Sequence, residues 1–517
     1  MAKSIIKIEN ILGGRSNLQN FSTSGQFDSS IAIDPNLPAT DSSIRNSGYL
    51  RPVSMSKFSG SEITGVPLWF VSNPKTTSTY LYANDGKVHT VTNTLSMGTA
   101  LNSGTALTSS SGNGASYYDN YAYFAKNTDI ARYGPLNGSP TLTQTYWTST
   151  LSLTAPTNTT YPTLRGVQIP NHPMHRHVDN KLYFGDVNSS NQGILNYIKT
   201  TKTSVEGDTN NGSTYQALNF SYGQYPTCIE SYGTDLAIGL IEQSETTSPV
   251  TIQKNAKISF WDTTSVSYNK IIDKELPDPF ITAMKNVNGI LFVWTGNANG
   301  GVRLLKFVGG YSFIEVAYLE EGVPPMQGAV DHDFERLYWG GYTTYPESFA
   351  VMYALDIVSN ALQCVAKSTS SGATQNTTAV KFITQTNMTD GIPVIGWSDG
   401  TSKGLDSRST TYGVSVFRSQ KFRVGGKGQI TKISIPLCQA VSSNMTLIPT
   451  IYTDNLTSST SLTTINNTNY PNSDKLIVIR PLSLSFNYDF ILELRWSGTA
   501  LLTVALPITV EIETLET

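Results

Sequence analysis

The stretch that decides the fold is Met284 to Gly310, MKNVNGILFVWTGNANGGVRLLKFVGG. Asn288-Gly289 is a turn signal, Ile290 to Thr295 is a short apolar β-prone run, Gly296 to Gly301 is a second turn, and Val302 to Val308 is another β-prone run. Two such runs joined by Gly/Asn punctuation predict a β-hairpin. The pattern recurs along the chain. Trp69–Val71 with Tyr80–Tyr82, Tyr121–Ala125 with Ile130–Tyr133, Lys181–Gly185 with Ile194–Ile198, Asp235–Ile241 with Lys257–Trp261, Arg336–Gly340 with Ala350–Leu355, and Ile392–Trp397 repeat it. Small turns introduce most of these runs: Asp119-Asn120, Asp179-Asn180, Tyr232-Gly233, Asn288-Gly289, Asp333-Phe334 and Asp390-Gly391. Seven units at a spacing of roughly 45–60 residues predict a β-propeller of about seven blades.

Composition agrees with an all-β chain. Aromatic residues make up 10% and include 27 Tyr, which suit pleated surfaces, while abundant Asn, Gly, Ser and Thr suit turns. Charged residues are only 14% of the 517 and the net charge is -3, which argues against broad electrostatic attraction to nucleic acid. The opening MAKSIIKIENILGGRS lacks the apolar core of about 7–15 residues that a secretion signal needs. No run approaches the ~20 apolar residues of a membrane span, so membrane insertion is not expected. Cys228, Cys364 and Cys438 lie far apart without a CxxC pair, and the expectation is buried small apolar residues.

Three regions follow. Residues 1–60 form no blade, and the scattered apolar positions Leu12, Leu18, Phe21, Phe27, Ile31, Ile33, Ile44 and Leu50 favour an extended N-terminal arm lying on something over a mobile tail. Such an arm could lock onto a neighbouring subunit. Residues 61–405 form the propeller, with its most apolar strands, Leu236–Leu240, Ile290–Val293 and Gly391–Gly396, expected next to the central channel. Ser/Thr/Asn-rich insertions over Thr141 to Pro170, Thr200 to Thr214 and Gln243 to Lys254 are expected loops for partner contact. Ring closure is open between a strand from residues 50–70 and one from the C-terminal side. After the break at Ser402 to Tyr412, residues 406–517 carry seven or eight short β runs, and KISIP (Lys432–Pro436) and LELRW (Leu492–Trp496) alternate as strands of a β-sandwich do.

Candidate chemistry is sparse. His172, His175 and His177 in NHPMHRH include a pair, His175 and His177, on one side of a strand, as zinc ligation needs, but Pro170 and Pro173 make the segment a loop. Asp331, Asp333 and Glu335 cluster before a strand; paired carboxylates serve glycoside hydrolysis, and acidic residues at a strand entry also cap turns. Tyr117, Tyr118, Tyr121 and Tyr123 could stack on sugar rings or simply fill a blade. No GxSxG, HExxH or phosphate-cradling motif occurs. No catalytic, cofactor or metal residue is therefore assigned, and a non-enzyme is expected.

Three features resemble virion proteins of tailed bacteriophages. They are the opening GGRSNLQNF followed by DPNLPATDSSIRNSGYLRP (Asp34–Pro52), the Tyr/Trp-rich unit WFVSNPKTTSTYLYANDGKVHTV (Trp69–Val91), and VFRSQKFRVGGKGQITKISIPL (Val416–Leu437) in the C-terminal region. The resemblance is to tail-hub or packaged-DNA stabilisation proteins. It implies a structural virion component in the tail or neck, made in the host cytoplasm, that joins copies of itself with portal, adaptor or tail proteins and sits near the packaged DNA end. It brings no catalytic residues. Two other expectations stand beside it, a receptor-binding or decoration protein that takes host glycans through exposed loops, and a carbohydrate-active enzyme using Asp331, Asp333 or Glu335.

Overall fold

The computed structural model describes residues 2–9, 11, 13–15, 26–35, 48–60, 63–74, 78–92, 96–101, 106–107, 114–126, 129–148, 172–188, 192–199, 217–242, 254–264, 270, 272–297, 300–307, 311–320, 322–370, 376–383, 392–471 and 475–514. These residues are all-β, with a single 3-10 turn at Gln327–Ala329 and no α-helix among them. From Met55 to Arg408 they form seven consecutive sheets, antiparallel throughout except that Ser59–Gly60 pairs parallel with Ser96–Met97 at the edge of the first. The first strands, in order, are Pro67–Ser72, Ala115–Tyr118, Met174–Arg176, Gln224–Tyr232, Phe280–Val287, Val330–His332 and Asn376–Ile383. Each first strand packs on the first strand of the next sheet, and that of sheet 7 packs on that of sheet 1, so the ring closes around a central channel.

Short turns join the first and second strands of sheets 2 to 6. Asp119, Asn120, Asn180, Asn288 and Gly289 take positive φ, the backbone that two-residue hairpins require and that Asn and Gly tolerate. The runs after those turns become the second strands, including Asp235–Glu242 and Ile290–Gly296. They were expected beside the channel, and the structure places them one strand further out. The physical reason is burial: a second strand is covered on both faces by neighbouring sheets, whereas a first strand turns alternate residues to the channel and can be polar there. Aromatic pairs fill the gaps between sheets. Tyr82 meets Phe124, Trp147 meets Phe184, Tyr183 meets Trp261, Phe260 meets Phe307 and Trp294 meets Trp339, with ring centroids 4.9–5.9 Å apart.

The ring is completed from the N-terminal side. Met55–Lys57 pairs antiparallel with Asp406–Arg408 as the fourth strand of sheet 7. The expected loops over 200–214 and 243–254 lie outside the described residues except Lys254, as does most of 141–170. Thr141–Thr148 proves to be a strand, the outermost of sheet 2, because Trp147 is buried against Phe184 of sheet 3.

Two further sheets follow the ring and enclose one apolar core that includes Ile433, Ile435, Leu447, Ile451, Leu492, Trp496 and Val510. The N-terminal segment is built into them. Ala2–Ile8 pairs along Ile508–Thr514 and Ser29–Ile31 along Val416–Arg418, while Tyr49–Leu50 forms a separate two-stranded sheet with Val504–Ala505. The same segment grips sheet 6. Ile33 N–H donates to the Cys364 carbonyl, and Gly14, at φ +70°, passes so close to Leu362 that a Cβ would stand 2.5 Å from its nitrogen. Asp34 is buried, and both its carboxylate oxygens accept from Arg336 Nη1 at 3.0 Å. Asp28 accepts from the Tyr345 hydroxyl at 2.6 Å, and Arg418, which donates to Glu493 at 2.6 Å, lies over the Tyr345 ring. Arg495 pairs with Glu347, again between the C-terminal sheets and sheet 6.

Candidate functional site: the central channel

In all seven sheets, the residue that pairs with the third residue of the second strand faces the same cavity. These are Phe70, Ser116, His175, Glu230, Lys285, Asp331 and Lys381. The equal register follows from the pleat: once the first turn and the apolar second strand are fixed, the partner position on the first strand points inward in every sheet. The cavity has a volume of about 200 Å³, and Trp69, Met174 and Val330 add apolar wall beneath the polar ring.

One end of the channel is stoppered by the 3-10 turn Gln327–Ala329. The Gln327 amide donates to the Met284 carbonyl and accepts from the Met284 N–H, both at 2.8 Å, copying a strand pair with a side chain. Gly328 sits so close to sheet 1 that a Cβ would meet the Leu68 carbonyl oxygen at 2.0 Å. Met326 and Ala329 are fully buried in the same apolar cluster as Leu68 and Met284.

The ring carries alternating charge: Glu230, Lys285, Asp331, Lys381. Lys381 Nζ lies 3.2 Å from Asp331, and His175 Nε2 lies 3.3 Å from Glu230. Glu230 Oε1 also accepts from the Ser231 N–H at 3.1 Å. Lys285 is half-buried and has no hydrogen bond or ion pair among the described residues. Its positive charge opposes protonation of both His175 and His332.

A relay links the histidines. His177 Nε2 faces the Thr234 carbonyl at 3.0 Å and must donate there, which makes Nδ1 an acceptor for the Ser231 hydroxyl at 2.9 Å. Ser231 Oγ can then accept from His175 Nε2 at 2.8 Å. Burial lowers the pKa of His175, His177 and His332, so all three favour the neutral form. His332 Nδ1 accepts from the Phe334 N–H at 3.3 Å, leaving its proton on Nε2.

The other sequence candidates separate. His172 points elsewhere, with Nδ1 on the Gly185 carbonyl at 2.9 Å and Trp147 edge-on at 5.5 Å. The segment expected to be a loop carries the strand Met174–Arg176, and His175 on it and His177 just past it share Ser231. No group of three or more metal-ligating side chains occurs among the described residues. Asp331 faces the cavity, while Asp333 holds a turn, accepting from the N–H groups of Glu335 and Arg336 and from the Tyr338 hydroxyl. The second carboxylate of the cavity is Glu230, not Asp333 or Glu335. Tyr117 lines the cavity and Tyr118 is buried, donating to the Asn180 carbonyl. Tyr121 and Tyr146 sandwich Arg132, and Tyr123 packs against Tyr146. Burial pushes the Cys228 and Cys364 thiols up to about 12 and about 11. Glu230, Ser231, Lys285 and Lys381 were missed by the sequence reading. Counting back across each tight turn from the apolar second strand would have found Lys285, three residues before Asn288-Gly289.

No protein-family model matches the chain, and no curated protein does. Among solved structures, the β-propeller domain of Cps50 (Swd1) from Myceliophteria thermophila is similar with a TM-score of 0.41 at 10% identity, over 70% of this chain and 100% of that one. A Bacteroides uniformis protein named as a 6-phosphogluconolactonase gives a TM-score of 0.41 at 10% identity, over 61% of this chain and 90% of that one. The Dos1 propeller gives 0.35 at 11% identity, over 64% and 74%. At this distance nothing about activity passes from them to this chain.

Proposed function

We propose that the seven sheets are the blades of a seven-bladed β-propeller, that the last two sheets form a C-terminal β-sandwich, and that the protein is a non-enzymatic structural part of a tailed-phage virion. In this reading it works in the tail or neck as a ring of copies, joining portal, adaptor or tail proteins. The observation that carries the reading is the path of the N-terminal segment. It supplies strands to both sandwich sheets, crosses sheet 6 with the buried Asp34–Arg336 ion pair, and then supplies the fourth strand of sheet 7. Propeller and sandwich are thereby tied into one body, which suits a part that must transmit force between neighbours without hinging. Ala2–Ile8 is the outermost strand of its sheet among the described residues, and an outer strand can extend a sheet into a neighbouring copy.

The test is assembly. The purified chain, mixed with portal, adaptor and tail proteins of a tailed phage, is expected to sediment as a defined multi-copy complex with at least one of them, and particle imaging is expected to place its density in the tail or neck. A chain that stays monomeric with every virion component removes the reading.

A further inference from the structure

The central cavity has the properties of a small-molecule site, and it stands apart from the outer faces that a virion partner would use. Its floor is shut by the Gln327–Ala329 turn, so whatever enters is held in a blind pit, not passed through. Its wall offers the half-buried faces of Phe70 and Tyr117 beside the indole of Trp69. Glu230 and Asp331 are each more than nine-tenths buried, so both carboxylates are held in place.

The charge pattern narrows the chemistry. The negative charge of Asp331 is met by Lys381, and Glu230 is met by His175 and the Ser231 N–H. Glu230 is hydrogen-bonded but not charge-compensated, since His175 favours the neutral form, and both carboxylates are acceptors suited to hydroxyl groups. Lys285 is different, because its ammonium has no hydrogen-bond or ion-pair partner among the described residues. A ligand that completes the site therefore brings one negative charge for Lys285, hydroxyls for Glu230 and Asp331, and an apolar ring face for Phe70 and Tyr117. A phosphate dianion fits worse, since its second charge would face two buried carboxylates. We infer that the cavity binds a monosaccharide carrying a single carboxylate, a uronic or sialic acid type of sugar, with Lys285 as its anion anchor.

Titration calorimetry and saturation-transfer NMR on the full chain test this, with glucuronate, galacturonate and N-acetylneuraminate as probes. Glucose, galactose and glucose 6-phosphate serve as neutral and dianionic comparisons. At least one sugar acid is expected to bind saturably and more tightly than the neutral sugars and the phosphate. Lys285→Gln is expected to weaken it about tenfold or more, the loss of one charge-assisted hydrogen bond. Lys270→Gln, at a lysine that pairs with Asp273 and does not line the cavity, is expected to leave binding unchanged. Glu230→Gln gives a second variant of the site should Lys285→Gln fold poorly, and is also expected to weaken binding. No saturable binding by any of the three acids at millimolar concentration overturns the inference. So does equal binding of acid and neutral sugars, or binding that neither cavity substitution changes.

Discussion

At the residue scale, the histidines show how burial sets charge. His89, His175, His177 and His332 all have pKa values lowered from 6.5, chiefly by desolvation, while in the unfolded chain each returns to its ordinary value. The unfolded state then binds more protons than the folded state once pH falls below about 6.5, so stability declines with falling pH and the loss grows until the folded values are passed. Denaturant midpoints measured between about pH 7.5 and about pH 5.5 should fall accordingly. His177→Gln should flatten part of that slope, and an unchanged slope in the variant would show that His177 does not contribute. The sequence shows His175 and His177 close together, but not what they touch. Ser231 and Glu230 come from a strand more than fifty positions away, and no local pattern announces that meeting. Asp333 was legible in the other direction, because an acidic residue three positions before Arg336 caps a turn by local geometry alone.

At the element scale, the apolar second strands and their Asn/Gly turns were readable because both signals are local: alternation and burial in one, positive φ in the other. The first strands were harder to see, since facing a channel removes the demand for an apolar residue at every second position. Their polarity hid Lys285 and Lys381, the partners of Asp331 in the ring. The stopper Gln327–Ala329 gave no sequence signal at all, being a side chain that imitates a strand edge. It makes a sharp prediction. Gln327→Ala strands both backbone polar groups of the buried Met284, at a cost of about 1–3 kcal/mol. Thermal or denaturant unfolding should report that loss, and an unaltered midpoint would mean the turn does not hold sheet 5.

At the scale of the whole molecule, the arm's scattered apolar residues were read as resting on a surface; Leu12, Leu18, Phe21 and Ile44 lie outside the described residues, and for the other four that surface is this chain's own. Phe27, Ile33 and Leu50 belong to the core of the C-terminal sheets, while Ile31 packs with Val416. The buried Asp34–Arg336 contact joins that arm to sheet 6. Asp34→Ala leaves the Arg336 guanidinium buried without this partner, and such a loss costs roughly 3–5 kcal/mol. Calorimetry should show one transition in the parent protein and, in the variant, a lower midpoint with ring and C-terminal sheets melting separately. A single unshifted transition would show that the contact does not couple them. The ring's closure also bears on how the protein is made. Met55–Lys57 leaves the ribosome before any of the seven sheets is complete, and its partner Lys403–Arg408 emerges only after six of them exist. During synthesis that strand must wait while the outer edges of earlier sheets pass by, and its short length, its lysine and its exposed Ser56 and Lys57 are what keep a waiting strand from pairing too soon.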